Sequence, residues 1–178
     1  MAENNDIEIP LSKTKLTKLL FFSILFLAGG AWMIIANPQV SNPIFNNAFV
    51  KALAAYGSLI MGVFGIYFFS KKLFDKKPGL IINEQGIYDN SSAFRFGLVP
   101  WSDILQVYER TVQKQHFVTI GLVDPEKYIS RETNIFKKKL LQVNLKSYGS
   151  PIHISTNGLK TNHKDLLNLI NSCFEKYK

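Results

Sequence analysis

The sequence predicts an α+β protein: a two-helix transmembrane hairpin, then a small bent sheet or barrel capped by a C-terminal α-helix. Three observations carry this. Two apolar runs long enough to span a bilayer, Leu19 to Ala36 and Ala48 to Phe69, lie close together early in the chain. After Pro78 the pattern changes to short apolar runs broken by turn residues, as in strands. From Asn162 to the end it returns to helical spacing, with Leu166, Leu167, Ile170, Cys173 and Phe174 on one stripe.

Residues 1–18 read as a cytoplasmic N-terminal tail. Its Ile7-Glu8-Ile9 alternation before Pro10 suits a partly ordered tail, with a stray edge strand as the alternative. Lys13, Lys15 and Lys18 then precede the first apolar run. A basic start before an apolar run also describes a signal peptide, but this run exceeds the usual ~7–15 residues of such a core. No small-x-small pair ends it, and a second spanning run follows.

The hairpin is placed at 19–69, with helices over about 19–36 and 48–69. The connection from Asn37 to Asn47 carries Pro38, Pro43 and several asparagines but no charge, which suits a tight turn between antiparallel spans. The charge within the second run, Lys51, lies in its first turn, where its stem can snorkel to the interface. Lysines flank both outer ends and none lies in the loop. That asymmetry places the loop outside and both termini in the cytoplasm of an inner membrane. In the second run Ala54, Ser58 and Gly62 recur every fourth residue, a spacing that lets helix backbones approach closely. The first run, with Ala28-Gly29-Gly30-Ala31, is the expected partner, and a second copy of the chain is the alternative. Neither run holds a carboxylate, histidine or arginine, the groups on which ion and proton pathways usually depend.

Residues 70–79 form a basic juxtamembrane linker in which Lys71, Lys72, Lys76 and Lys77 surround Leu73 and Phe74. Each lysine near an anionic surface is worth roughly 1 kcal/mol. An ordinary positive-inside flank explains the cluster by itself. A second cluster, Lys137, Lys138 and Lys139 between Phe136 and Leu140, is an additional candidate for contact with lipid headgroups.

Residues 80–178 read as a cytoplasmic domain. Leu80-Ile81-Ile82 and Ile87-Tyr88-Asp89 form a hairpin around Asn83 to Gly86, with Gly86 free to take positive φ. Phe94, Phe96 and Gly97 to Trp101 lead to further strands over Val107 to Val112 and Phe117 to Val123. Asp124 caps a short helix with Pro125 at its first position. Two more strands are expected, Leu140 to Leu145 and Pro151 to Ser155, joined by a turn at 147–150. Asn162 caps the final helix, with Asp165 in its first turn.

The segments PGLIINEQGIYDNS, GLVPWSDILQV and SYGSPIHISTNGL resemble bacterial pleckstrin-homology-like (PH-like) membrane proteins. In particular they resemble a small uncharacterised family with two membrane spans followed by one such domain. The resemblance covers essentially the whole chain. It implies a PH-like fold and a membrane location and supplies no catalytic residues. On it, Trp101 is a packing residue and Asp103 a turn former. Relatives that bind phosphoinositides carry basic residues around the first hairpin loop. Here that loop carries Glu84 and no base, so no such site is expected there.

Composition excludes other classes. The net charge of +8 over 178 residues invites a nucleic-acid reading. However, many of the lysines flank the apolar runs, and those after Pro78 are interleaved with Glu84, Asp89, Asp103, Glu109, Asp124, Glu126 and Glu132. The lone Cys173 permits no internal disulfide and reads as a small apolar residue. There is no P-loop, nucleophile elbow or His-Glu-x-x-His motif. His116, His153 and His163 fall on separate predicted elements without helix-ligand spacing, and Asp103 and Glu109 suggest no shared active site. No catalytic, cofactor or metal residue is assigned. The expected function is non-enzymatic, with the tethered domain binding a protein partner or the membrane surface. The alternatives are a small-ligand sensor and an accessory subunit of a membrane enzyme or transport complex.

Overall fold

A computed structural model describes residues 6–92 and 96–178. The expected strand residue Phe94 lies outside them. The chain forms two compact units: Lys13–Lys76 is one, and the residues before Lys13 join those from Lys77 onward in the other.

The first unit contains α1 (Lys13–Ala36), a single turn α2 (Pro43–Asn46) and α3 (Ala48–Leu73). Both long helices are long and apolar enough to cross a membrane, and little of either is buried, unlike the core helix of a soluble protein. Both extend beyond the apolar runs. Lys13, Lys15 and Lys18 lie in the first turns of α1, and Lys71 and Lys72 end α3, where positive charge complements the helix dipole. The asparagines organise the connection. Asn37 has φ 39, Asn42 caps α2, and the side chain of Asn47 accepts from the amides of Phe49 and Val50. The Lys51 ammonium reaches Asn37 Oδ1 at 3.5 Å.

Gly30, Gly62 and Gly65 set the approach of α1 to α3. A Cβ on Gly30 would lie 2.8 Å from the Ala55 carbonyl oxygen. One on Gly62 would lie 2.7 Å from the Leu27 nitrogen, and one on Gly65 2.9 Å from Ser23 Cβ. Ser23 donates its hydroxyl to the Leu19 carbonyl, satisfying its own polar group inside the seam.

The second unit contains two antiparallel sheets. One has the order β1-β2-β3-β4, formed by Ile7–Ile9, Leu80–Asn83, Gly86–Asp89 and Gly97–Pro100; the other is β5-β6-β7, formed by Ile104–Val112, Gln115–Leu122 and Ile152–Ile154. Among the described residues the sheets do not close into a barrel, which corrects that form of the expectation. The helices α4 (Pro125–Ser130), α5 (Ile135–Tyr148) and α6 (His163–Tyr177) complete the unit. Leu166, Ile170 and Cys173 of α6 pack into a core with Leu80, Ile82, Ile87, Ile104, Val118, Ile120 and Ile152. The expected apolar stripe is therefore the face that docks. Asn162 caps α6 as expected, accepting from the Asp165 amide at 2.9 Å.

Two expectations change. The Ile7–Ile9 segment is a paired strand: Ile7 lies opposite Ile82 and Ile9 opposite Leu80, with Ile9 buried. The pairing continues through Leu11 to Leu159, and Lys160 and Ser12 donate to the Pro10 and Gly158 carbonyls. The expected strand Leu140 to Leu145 is instead part of α5. Asn134 caps that helix by accepting from the Lys137 amide, and Gly149 ends it at φ 80. Between these signals only Val143 is β-branched after Ile135, so propensity favours helix.

Asp103 does more than form a turn. Its carboxylate accepts from the Lys127 ammonium at 2.7 Å and from the Tyr128 hydroxyl at 2.7 Å, clasping α4 to the single turn that precedes β5. The Lys127 hydrogen bond, followed by that from Tyr128, lowers its pKa. Because the folded pKa lies below the usual ~3.9, the clasp contributes fully above that pH. It is lost as pH falls through the folded value. Asp103→Asn is expected to cost about 1–3 kcal/mol at neutral pH and to flatten the acid limb of the stability profile. Chemical denaturation across pH checks both effects.

Candidate membrane-surface site

Charged and apolar groups converge most clearly on the outer face of α5. Its inner face buries Leu141 and half-buries Leu145 and Tyr148. Its outer face carries Phe136 (81% exposed), Leu140 (46%) and Val143 (51%), spaced so that they form one ridge along the helix. Ile135, about 100° around the helix from Phe136, is also 80% exposed. Lys139 and Lys146 are exposed beside the ridge. Lys138 is half-buried. Lys137 turns inward to pair with Glu132 at 2.5 Å, and that hydrogen bond lowers the Glu132 pKa. The basic cluster thus divides, with Lys137 belonging to the α4–α5 junction and Lys139 to the outer face. Lys146, Ile135 and Val143 are absent from the sequence-based candidates. Their signal is helical periodicity starting from the Asn134 cap, which a strand reading of 140–145 hides.

The juxtamembrane lysines divide in a similar way. Lys71, Lys76 and Lys77 are exposed, and the Lys71 ammonium lies 5.8 Å from the Tyr67 ring centroid. Lys72 is buried, 3.9 Å from Asp75. Phe74 is exposed at the end of α3. In the helix pair Gly62 lies in the seam with Ala55 and Gly65, Ser58 is half-buried, and Ala54 is exposed.

A hollow of about 180 Å³ lies between α4 and α5, lined by Phe96, Tyr128, Arg131, Glu132, Lys137 and Leu141. Its charged groups are mutually engaged: Lys137 with Glu132, and Arg131 over the Tyr128 ring. Cys173 is buried on α6, and burial raises its thiol pKa, which suits an inert packing role. His153 lies on β7, its Nδ1 2.9 Å from the Thr119 hydroxyl, whereas His116 and His163 lie side by side elsewhere.

These features define a class: two long apolar helices of membrane-spanning length, joined to an α+β unit with two antiparallel sheets. No family model matches the chain, and neither a curated protein nor a solved structure is significantly similar to it.

Proposed function

We propose that the chain is a non-enzymatic inner-membrane protein whose two-helix hairpin tethers a cytoplasmic PH-like domain, and that α5 docks this domain on the anionic lipid surface. The observation that carries the reading is the exposed Phe136/Leu140/Val143 ridge flanked by Lys139 and Lys146. Apolar side chains beside lysines on one helix face suit the headgroup–acyl boundary. Each lysine near an anionic surface adds roughly 1 kcal/mol, and partial burial of the ridge adds about 25 cal/mol per Å².

The tethering supports this. β1 and β2 share a sheet, so if both long helices span the bilayer, both attachments of the α+β unit lie on one side. Between Leu73 and Leu80 the chain reaches at most about 25 Å, and the connection from β1 to α1 is shorter still. A surface held that close meets lipid at high effective concentration. Outer lysines with an uncharged loop favour the cytoplasmic side. Two sheets capped by a C-terminal helix are compatible with a PH-like domain.

Hydrogen exchange of the full chain in neutral and anionic nanodiscs tests the reading. The α5 amides should be better protected in anionic discs. That difference should disappear in Phe136→Ser/Leu140→Ser and shrink with added salt, as the Debye length falls below ~10 Å. Equal α5 exchange in both discs would reject lipid docking and favour a protein partner for the ridge.

A further inference from the structure

We infer that Glu109, His116 and His163 form a binding site for a divalent transition-metal ion of the zinc class, clasping the tip of the β5–β6 hairpin to the start of α6. The two strands meet in a two-residue turn at Gln113 and Lys114, both with positive φ (46 and 66), so His116 lies opposite Thr111. Glu109, two residues before Thr111, shares its face and is diagonal to His116. His163, the first residue of α6 after the Asn162 cap, completes the group.

The donor atoms, one from each residue, all lie within 4.8 Å of one another. Glu109 Oε1 is 2.5 Å from His116 Nδ1, and its Oε2 is 3.2 Å from His163 Nε2. The two imidazoles lie 5.3 Å apart, centroid to centroid. A zinc ion held at ~2.0–2.2 Å from such donors would separate them by a little over 3 Å, a small adjustment for exposed side chains on a hairpin.

Several features favour a cation over a simple ion pair. One carboxylate faces two imidazoles. His163 is largely buried, and neither of its ring nitrogens makes a well-oriented hydrogen bond, so its lone pair is uncommitted. Two imidazoles and a carboxylate form a nitrogen–oxygen set suited to zinc, cobalt or nickel rather than magnesium or calcium. Glu109 and His116 are exposed, leaving the remaining positions to water.

Titration of the tag-free, chelator-washed full chain in detergent tests the inference, with Zn²⁺ followed by calorimetry and Co²⁺ by its visible ligand-field absorption. One equivalent of each should bind near neutral pH, Zn²⁺ should displace Co²⁺, and Zn²⁺ should raise the thermal midpoint. Glu109→Gln and His116→Ala, both at exposed positions, should weaken binding by at least about tenfold, since even outer-shell changes cost 10–100-fold. Both should abolish the thermal shift, whereas His153→Asn, at the separate histidine, should leave binding unchanged. Absence of saturable binding, or binding unchanged in Glu109→Gln and His116→Ala, would overturn the assignment.

Discussion

Gly86→Ala is expected to destabilise the α+β unit by about 2–5 kcal/mol, combining positive-φ strain with overpacking. Gly86 has φ 151 and pairs with both Asn83 and Pro100 in the β2–β3–β4 sheet. A Cβ there would press into the Val99 carbonyl oxygen and lie 2.8 Å from Pro100 Cα. Both are backbone atoms, so no side-chain rotation relieves the clash. The strands must separate or the hairpin must shift register. Denaturation followed by Trp101 emission should show an earlier midpoint. A midpoint equal to that of the parent chain would mean that the close approach of β3 to β4 is wrong.

Trp101→Ala should be as damaging, costing about 3–5 kcal/mol. Trp101 is buried, and its indole N–H donates to the Asn83 carbonyl at 2.8 Å, pinning the β2–β3 turn. Its ring lies 6.1 Å from that of Tyr177 and 6.3 Å from that of Phe174, so the same side chain also anchors the end of α6. Trp101→Phe separates the two roles. It retains an aromatic surface for α6 but leaves the Asn83 carbonyl without its donor, at an expected cost of about 1–3 kcal/mol. Circular dichroism of both variants during denaturation checks the order. Equal losses would show that the hydrogen bond dominates over the packing.

What the sequence made legible was local. Asp124-Pro125 before α4, Asn162 before α6 and Gly86 in the first hairpin each act within a few residues, and each is found where its chemistry requires. What was hidden depends on partners distant in sequence. Ile7-Glu8-Ile9 is ambiguous until Leu80 to Ile82 arrives from beyond the helical hairpin to pair with it. Leu140 to Leu145 contains leucines that fit either a strand or a helix. The deciding signals, the Asn134 cap and the Gly149 terminator, lie outside that run.

The small-residue seam was legible in part. Of Ala54, Ser58 and Gly62, Gly62 is buried, Ser58 half-buried and Ala54 exposed, and Ala55 and Gly65 are the small residues buried on the stripe that Gly62 shares. The Glu109–His116–His163 group was hidden by the length assigned to a turn. Ending one strand at Val112 and starting the next at Phe117 leaves His116 in a loop. The two-residue turn at Gln113-Lys114 puts it on the ladder beside Glu109 and Thr111.

Depth-dependent quenching reads out whether α5 rests on the lipid surface. A fluorophore is placed at Gln142→Cys on the exposed face, in a Cys173→Ser background, with the full chain reconstituted into bilayers containing headgroup-level and acyl-level spin-labelled lipids. Strong quenching is expected near the headgroup–acyl boundary in anionic bilayers, weaker quenching in neutral ones, and loss of the difference in Lys139→Glu/Lys146→Glu. A fluorophore unquenched in both bilayers would contradict it.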